Sequence, residues 1–262
     1  MPCPICSNRM ADSFKAKVLN KYDALYKVCG TCGFLCADKP YWLEEAYDHA
    51  IADADTGLVM RNVSLAFQIA GVLYWAMGER GAGRYLDTAG GYGMLTRLMR
   101  DFGFEFHWYD EQCENKLAPG FSFRDESKPY RAVTAIEVFE HLTDPKSFVE
   151  KTLAMGGADA LIFTTVLYAG APPPASWWYY SFATGQHIGF FRRDTLQRLA
   201  AELGMQFASA NGIHVFSKAK INGGVLRFAT WRAVALGTAW WARKRLGSKT
   251  MADHELMLKR SG

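Results

Sequence analysis

The chain has 262 residues, half of them hydrophobic and 21% charged, with a net charge of +4. That length can bury one full α/β core and a small appended module, and so mild a charge does not by itself argue for nucleic-acid binding. No apolar stretch opens the chain and no run of about eighteen uncharged apolar residues occurs in it, so neither a secretory signal nor a transmembrane helix is expected; six cysteines in that setting suggest reduced, metal-ligating thiols and a cytoplasmic location.

Residues 1–40 are Cys-rich and broken by turns. Cys3-Pro-Ile-Cys6 and Cys29-Gly-Thr-Cys32 form two CxxC pairs, and thiolates at i and i+3 across two tight turns complete a tetrahedral Cys₄ zinc site. Gly33 suits the positive φ of a knuckle, and 22 residues between the pairs leave room for a hairpin. With four protein ligands the zinc is expected to be structural. A redox CxxC pair is the competing reading, and Cys36 is a spare thiol able to replace Cys32.

Residues 41–80 read as a helical connector, apolar from Leu58 to Trp75 and ended near Gly78. Residues 81–218 alternate short apolar runs with helical ones. Strands are expected at 84–89, 105–109, 121–123, 132–136, 160–165, 206–210 and 213–217, and helices at 94–101, 145–155 and 194–203. This spacing implies βαβ units, while Asn211-Gly212 between the last two strands signals a hairpin. The expected fold is therefore α/β, a Rossmann-like seven-stranded sheet with an antiparallel last strand, preceded by a zinc ribbon.

The first of these strands ends in Asp87, and small residues from Ala89 through Gly90, Gly91 and Gly93 let backbone N–H groups approach a ligand at the next helix. Asp110, at the tip of the second strand, is placed to accept hydrogen bonds from ribose hydroxyls. These features are shared by NAD sites and S-adenosylmethionine (SAM) sites.

Asp87 to Gly93, Asp110 and Ala135-Ile136-Glu137-Val-Phe-Glu140-His141-Leu-Thr-Asp144-Pro145 resemble the motifs of class I SAM-dependent methyltransferases. The resemblance spans roughly 84–217. It implies SAM held by Asp87, Ala89, Gly90, Gly91, Gly93, Asp110, Ile136 and Glu137, with Glu137 beside the methionine end. Ala89 departs from the family glycine. A Cys₄ module ahead of such a core resembles the sugar methyltransferases of deoxysugar and polysaccharide pathways. In that group Trp177–Tyr180 and Gly185–Phe191 would fall at the acceptor site. Its C-methylating members use an adjacent Glu-His pair where this chain has Gln186-His187, which favours O-methylation.

Methyl transfer to a sugar hydroxyl needs positioning and one base. His187 is the expected base, with Glu137, His141 and Tyr180 as further catalytic candidates. Set against these are plainer roles: His187 packing a lid, His141 hinging the Glu-His-Leu turn, Glu140 structural, Trp177–Tyr180 as core. The tail, 219–262, is basic and Trp-bearing: Lys218 to Lys249 hold eight Lys or Arg and no acid. That composition suits an interfacial segment contacting a membrane or a glycosyltransferase complex; a helix covering the sheet, or a dimer contact, is the alternative. The expected activity is thus SAM-dependent methylation of a nucleotide sugar or glycan, peripheral to the membrane at most. Two alternatives stand beside it. One is an RNA methyltransferase gripping nucleic acid through the zinc module, disfavoured because the module's basic residues are offset in part by Asp12, Asp23 and Asp38. The other is a non-catalytic adaptor.

Overall fold

A computed structural model describes residues 1–48, 55–79, 83–124 and 128–261. The expected boundary at 80/81 and part of the 41–80 connector lie outside them.

The main sheet has six strands: β4 (Arg84–Thr88), β5 (Glu105–Tyr109), β6 (Ala132–Ala135), β7 (Ala160–Thr164), β9 (Gln206–Ala210) and β10 (Ile213–Ser217), in the spatial order β5-β4-β6-β7-β10-β9. The first four are parallel, and β10 runs antiparallel to both neighbours. Asn211 and Gly212 take φ of 50° and 80°, the left-handed pair that a two-residue hairpin turn requires. The seventh expected strand, 121–123, is not one. It makes a single parallel bridge, Ser122 to Trp108, because three residues leaving the turn at Gly120 (φ 86°) satisfy only the two backbone groups of Trp108. Phe121 is instead stacked on the Arg100 guanidinium, 3.7 Å away.

Strand residues alternate between two cores, as a pleated sheet demands. Tyr85, Phe106, Ala132, Ile162 and Val215 face α2 (Leu58–Gly71), α3 (Met94–Asp101) and α7 (Arg232–Leu246). Leu86, Val133, Leu161, Phe163 and Phe216 face α4 (Pro145–Gly156) and α5 (Arg193–Glu202). The ends of α4 follow from local chemistry. Asp144 accepts from Ser147 N–H at 3.0 Å, Pro145 occupies the first turn, and Gly157 closes the helix at φ 57°. Among the described residues one helix, Leu58–Ala76, is long and apolar enough to cross a membrane. Here Ala66, Ile69, Ala70, Val72 and Leu73 of that helix are buried in the core.

The cysteine segment folds as β1 (Met10–Val18) and β2 (Tyr22–Cys29), a hairpin joined by β3 (Leu35–Ala37). Its fourth strand comes from far along the chain: β8 (Gly189–Phe190) pairs with β3. Behind this sheet, Tyr26, Trp42, Tyr168, Tyr179, Tyr180 and Phe190 form a third core. After the main sheet come α6 (Gly223–Ala229), α7 and α8 (Thr250–Ser261). α8 is fastened by the buried Arg100, which meets Asp253 through two 2.8 Å hydrogen bonds and Glu105 at 2.6 Å. α7 lies on α2, so the tail does cover the fold on its inner side.

Candidate functional site

A cavity of about 1610 Å³ opens at the carboxyl ends of the parallel strands, where ligands of open α/β sheets bind. Asp87, Ala89, Gly90, Gly91, Asp110, Ile136 and Glu137 all line it, as do His141 and His187. Gly93 does not. It caps α3 at φ 87°, and a Cβ there would meet Asn115 Oδ1 at 2.6 Å.

The loop after β4 is held tightly. A Cβ on Gly90 would lie 2.7 Å from the Trp108 ring and 2.8 Å from Asp87 Oδ2, so only glycine fits. Ala89 takes φ 52°, a left-handed conformation that glycine adopts without strain and alanine adopts at a cost. Asp110 braces the loop by accepting from Gly91 N–H at 2.9 Å, and its other oxygen accepts from Gln112 and Cys113 N–H at 2.7 and 2.8 Å. A carboxylate has about four acceptor positions, so Asp110 keeps capacity for a ribose hydroxyl. Asp87 is 1% exposed, and the Thr134 and Thr96 hydroxyls donate to its two oxygens. Burial pushes its carboxyl up to about 7. It organises the loop from beneath.

The other half of the cavity gathers distant residues. Glu137, at φ 56°, accepts from Thr164 Oγ1 at 2.7 Å and faces Arg61 Nε at 3.5 Å. Glu140 is fully buried, and among the described residues neither of its carboxylate oxygens has a hydrogen-bond partner. Burial, with Glu140 adding for Glu137, holds both carboxyls above their ordinary range. His141 Nδ1 lies 2.9 Å from Tyr47 Oη and 3.1 Å from the Gln186 carbonyl, and burial lowers this imidazole to about 3. His187 Nδ1 lies 2.7 Å from the Tyr179 carbonyl. A ring nitrogen facing a carbonyl carries a proton, so in the neutral form of either imidazole Nε2 holds the lone pair. One ligand atom from each of Glu140, His141 and His187 falls within 4.8 Å of the others, a set able to hold a divalent ion.

Tyr180 is a correction. It is fully buried among Phe14, Tyr26 and Phe190, its hydroxyl donates to the Pro173 carbonyl at 2.9 Å, and it is not among the cavity walls. Its neighbours Trp178, 74% exposed, and the buried Tyr179 do line the cavity. In the 3₁₀ turn Trp178–Tyr180 successive side chains point about 120° apart, so Trp178 reaches solvent while Tyr179 and Tyr180 are buried on different sides. Arg61, Tyr47 and the unpartnered state of Glu140 escaped the sequence reading. The Glu137–Glu140–His141 spacing was the one local signal for the last.

Cys3, Cys6, Cys29 and Cys32 converge. Cys3 and Cys32 sulfurs are 3.6 Å apart, Cys6 and Cys29 3.5 Å, and all four lie within 4.8 Å of one another. Tetrahedral zinc with bonds of about 2.3 Å sets sulfurs about 3.8 Å apart, so the four thiols fit a structural ion. Gly33 takes φ 74° beside them. Cys36 is buried outside the cluster, and burial pushes its thiol up to about 12.

A family model described as "Methyltransferase domain" matches residues 64–210. No curated protein sequence matches the chain. Among solved structures, similar folds include magnesium protoporphyrin IX methyltransferase from Synechocystis PCC 6803 with bound SAH, at 12% identity and TM-score 0.46, covering 68% of this chain and 93% of that one. Human N-acetylserotonin methyltransferase in complex with SAM is similar at 16% identity and TM-score 0.43, covering 61% of this chain; the match spans 51% of the human enzyme. Mitomycin 7-O-methyltransferase follows at 15% identity and TM-score 0.43, covering 67% of this chain and 59% of that one. The family match runs from within α2 to the last residue of β9 and takes in every strand and loop at the cofactor end of the cavity; the chain belongs to the methyltransferase-domain family and is a SAM-dependent methyltransferase.

Proposed function

We propose that the enzyme methylates a hydroxyl group of a sugar, carried as a nucleotide sugar or a glycan, with His187 as the general base. The observation that carries this reading is the anchoring of His187 Nδ1 on the Tyr179 carbonyl at 2.7 Å, which leaves Nε2 as the acceptor on a residue of the cavity wall. SAM supplies an electrophilic methyl group on a sulfonium. The loop from Ala89 to Gly91 and Asp110 would hold its nucleoside end, with Ile136 and Glu137 toward the methionine end. Trp178 offers an aromatic face for a sugar ring. His187 Nε2 would take the proton of the acceptor hydroxyl as the methyl group is transferred to its oxygen. Gln186 is committed elsewhere, donating to the Ala46 carbonyl at 2.8 Å, which supports O- over C-methylation. The four thiols of residues 1–40 would hold a structural zinc.

The test is methyl transfer, read by mass spectrometry, onto a panel of nucleotide sugars, glycans and phenolic acceptors. The reading expects a sugar product, and a loss of 10²-fold or more in turnover for His187→Ala with SAM affinity retained. A product formed only on phenols would discard the sugar assignment. Unchanged turnover in His187→Ala would discard the base.

The unpartnered Glu140 carboxylate favours a second reading, in which Glu140, His141 and His187 hold a divalent cation that carries the acceptor oxygen. Turnover lost on chelation and restored by added magnesium or manganese, with residues 1–40 still protease-resistant, selects it. Turnover indifferent to chelation selects the imidazole base.

A further inference from the structure

The tail has an outer face as distinct as its inner one. On α7 the buried residues Ala235, Thr238, Ala239 and Ala242 lie toward α2. Turned the other way, Ala233, Leu236 and Trp240 recur at i, i+3 and i+7, one stripe of a helix. Val225 and Phe228 of α6 and Trp231 of the following turn are exposed beside it; Trp231 is 62% and Trp240 59% accessible. Edge-on contacts link Phe228 to three more aromatics at its border: Trp75 meets Phe228 at 5.9 Å and Tyr74 at 5.0 Å, and Tyr74 meets Trp241 at 5.1 Å. At the flank of this face, where α7 meets the segment after α2, Trp75, Val234, Gly237, Thr238 and Trp241 enclose an apolar niche of about 250 Å³.

Cations accompany the aromatics. Lys244 Nζ lies 3.9 Å from the Trp240 ring and the Arg245 guanidinium 5.1 Å from Trp241, while Arg227, Arg232 and Arg243 are exposed. No acid occurs from Lys218 to Lys249. Among the described residues no carboxylate forms an ion pair with Arg227, Arg232, Arg243 or Lys244. An apolar, indole-rich surface within a field of uncompensated positive charge complements one environment, the interface of an anionic bilayer. Indoles rest there at headgroup depth, aliphatic groups reach the acyl boundary, and Lys and Arg meet the phosphates. Single-stranded RNA would use the indoles and cations but not Val225 and Leu236.

The face also adjoins the cavity. Asn211 and Gly212 of the β9–β10 turn line it, and Asn211 Nδ2 donates to Thr230 Oγ1 at 3.0 Å, one residue before Trp231. We propose that α6, the Trp231 turn and α7 seat the enzyme on an anionic phospholipid membrane, with one wall of its cavity next to the bilayer surface. This holds whatever acceptor the enzyme methylates.

The experiment is co-sedimentation of the full chain with vesicles of phosphatidylcholine alone and of phosphatidylcholine with phosphatidylglycerol. Binding should require the anionic lipid, blue-shift the tryptophan emission and weaken with salt. Arg243→Glu with Lys244→Glu should weaken binding by about tenfold or more, given the roughly 1 kcal/mol that each basic residue contributes near such a surface. Trp231→Ala with Trp240→Ala should reduce the blue shift. Unchanged SAM affinity in both variants shows that they fold. Equal retention on neutral and anionic vesicles, or full retention of the charge-reversed variant, overturns the proposal. So does retention of a single-stranded oligonucleotide in place of vesicles, or a dimer in solution that buries these tryptophans.

Discussion

Leu35 of the cysteine module pairs in antiparallel register with Phe190, three residues beyond His187. The module and the segment that follows His187 are therefore one sheet. Three further bonds tighten the join: Thr195 Oγ1 donates to the Cys32 carbonyl at 2.7 Å, Tyr168 Oη donates to the Gly33 carbonyl, and Trp42 Nε1 donates to the Gly185 carbonyl at 2.9 Å.

On the proposed reading, loss of the four clustered thiols is expected to reach the His187 side of the cavity and spare the loop after β4, which shares no strand with the module. Cys6→Ser, or chelation, should expose residues 1–40 to protease and reduce methyl transfer at least tenfold, while SAM affinity stays within a few-fold. Metal analysis and calorimetry on one preparation check this. Full activity with the module cleaved would make the shared sheet irrelevant to turnover.

Asp110→Ala removes the acceptor of the Gly91, Gln112 and Cys113 N–H groups and the remaining acceptor positions offered to the cofactor. Charge-assisted hydrogen bonds contribute about 1.5–3 kcal/mol each, so SAM affinity should fall by tenfold or more in titration calorimetry. An unchanged affinity would place the nucleoside end elsewhere.

Stability should depend on pH through two buried groups of opposite sign. His214, with Ser209 Oγ 2.9 Å from Nδ1 and the Thr165 carbonyl 3.0 Å from Nε2, is held by burial at about 4, below its ordinary 6.5. Its contribution is complete above pH 6.5 and declines as pH falls toward 4, because the unfolded chain binds the proton that the folded one refuses. Asp87, raised by burial from 3.8 to about 7, contributes fully below 3.8 and loses that contribution as pH rises to 7. Thermal midpoints across this window should show a flatter acid limb in His214→Gln and a flatter neutral limb in Asp87→Asn. Parallel curves for variant and parent would contradict the assignment.

Gly71, the last residue of α2, abuts the end of α6: a Cβ there would lie 2.1 Å from the Ala229 carbonyl oxygen. Backbone cannot yield as a flexible side chain can, so Gly71→Ala should destabilise by about 1–3 kcal/mol, against the gain of about 1 kcal/mol that this change gives an unobstructed helix. Urea unfolding measures the balance. A stabilised variant would mean that the two helices separate freely.

Much of this protein is local chemistry and was legible in order along the chain. The two CxxC pairs converge because each is a single turn. The loop from Asp87 to Gly93 follows a strand and opens a helix, and Asn211-Gly212 adopts the two positive φ angles its hairpin needs. Length, strand-helix alternation and glycine placement determined the fold class. Tertiary structure decided what no local period encodes. The stretch 121–123 has strand composition but only Trp108 to pair with. Trp178 faces the cavity while Tyr180, two residues on, fills a core shared with Phe14 and Tyr26. Tyr47 reaches His141 across 94 positions, and Glu140 is left buried without a partner. Each depends on which distant surfaces close over the residue, and a side chain's neighbours across the fold are set by the packing of whole elements rather than by the sequence on either side of it.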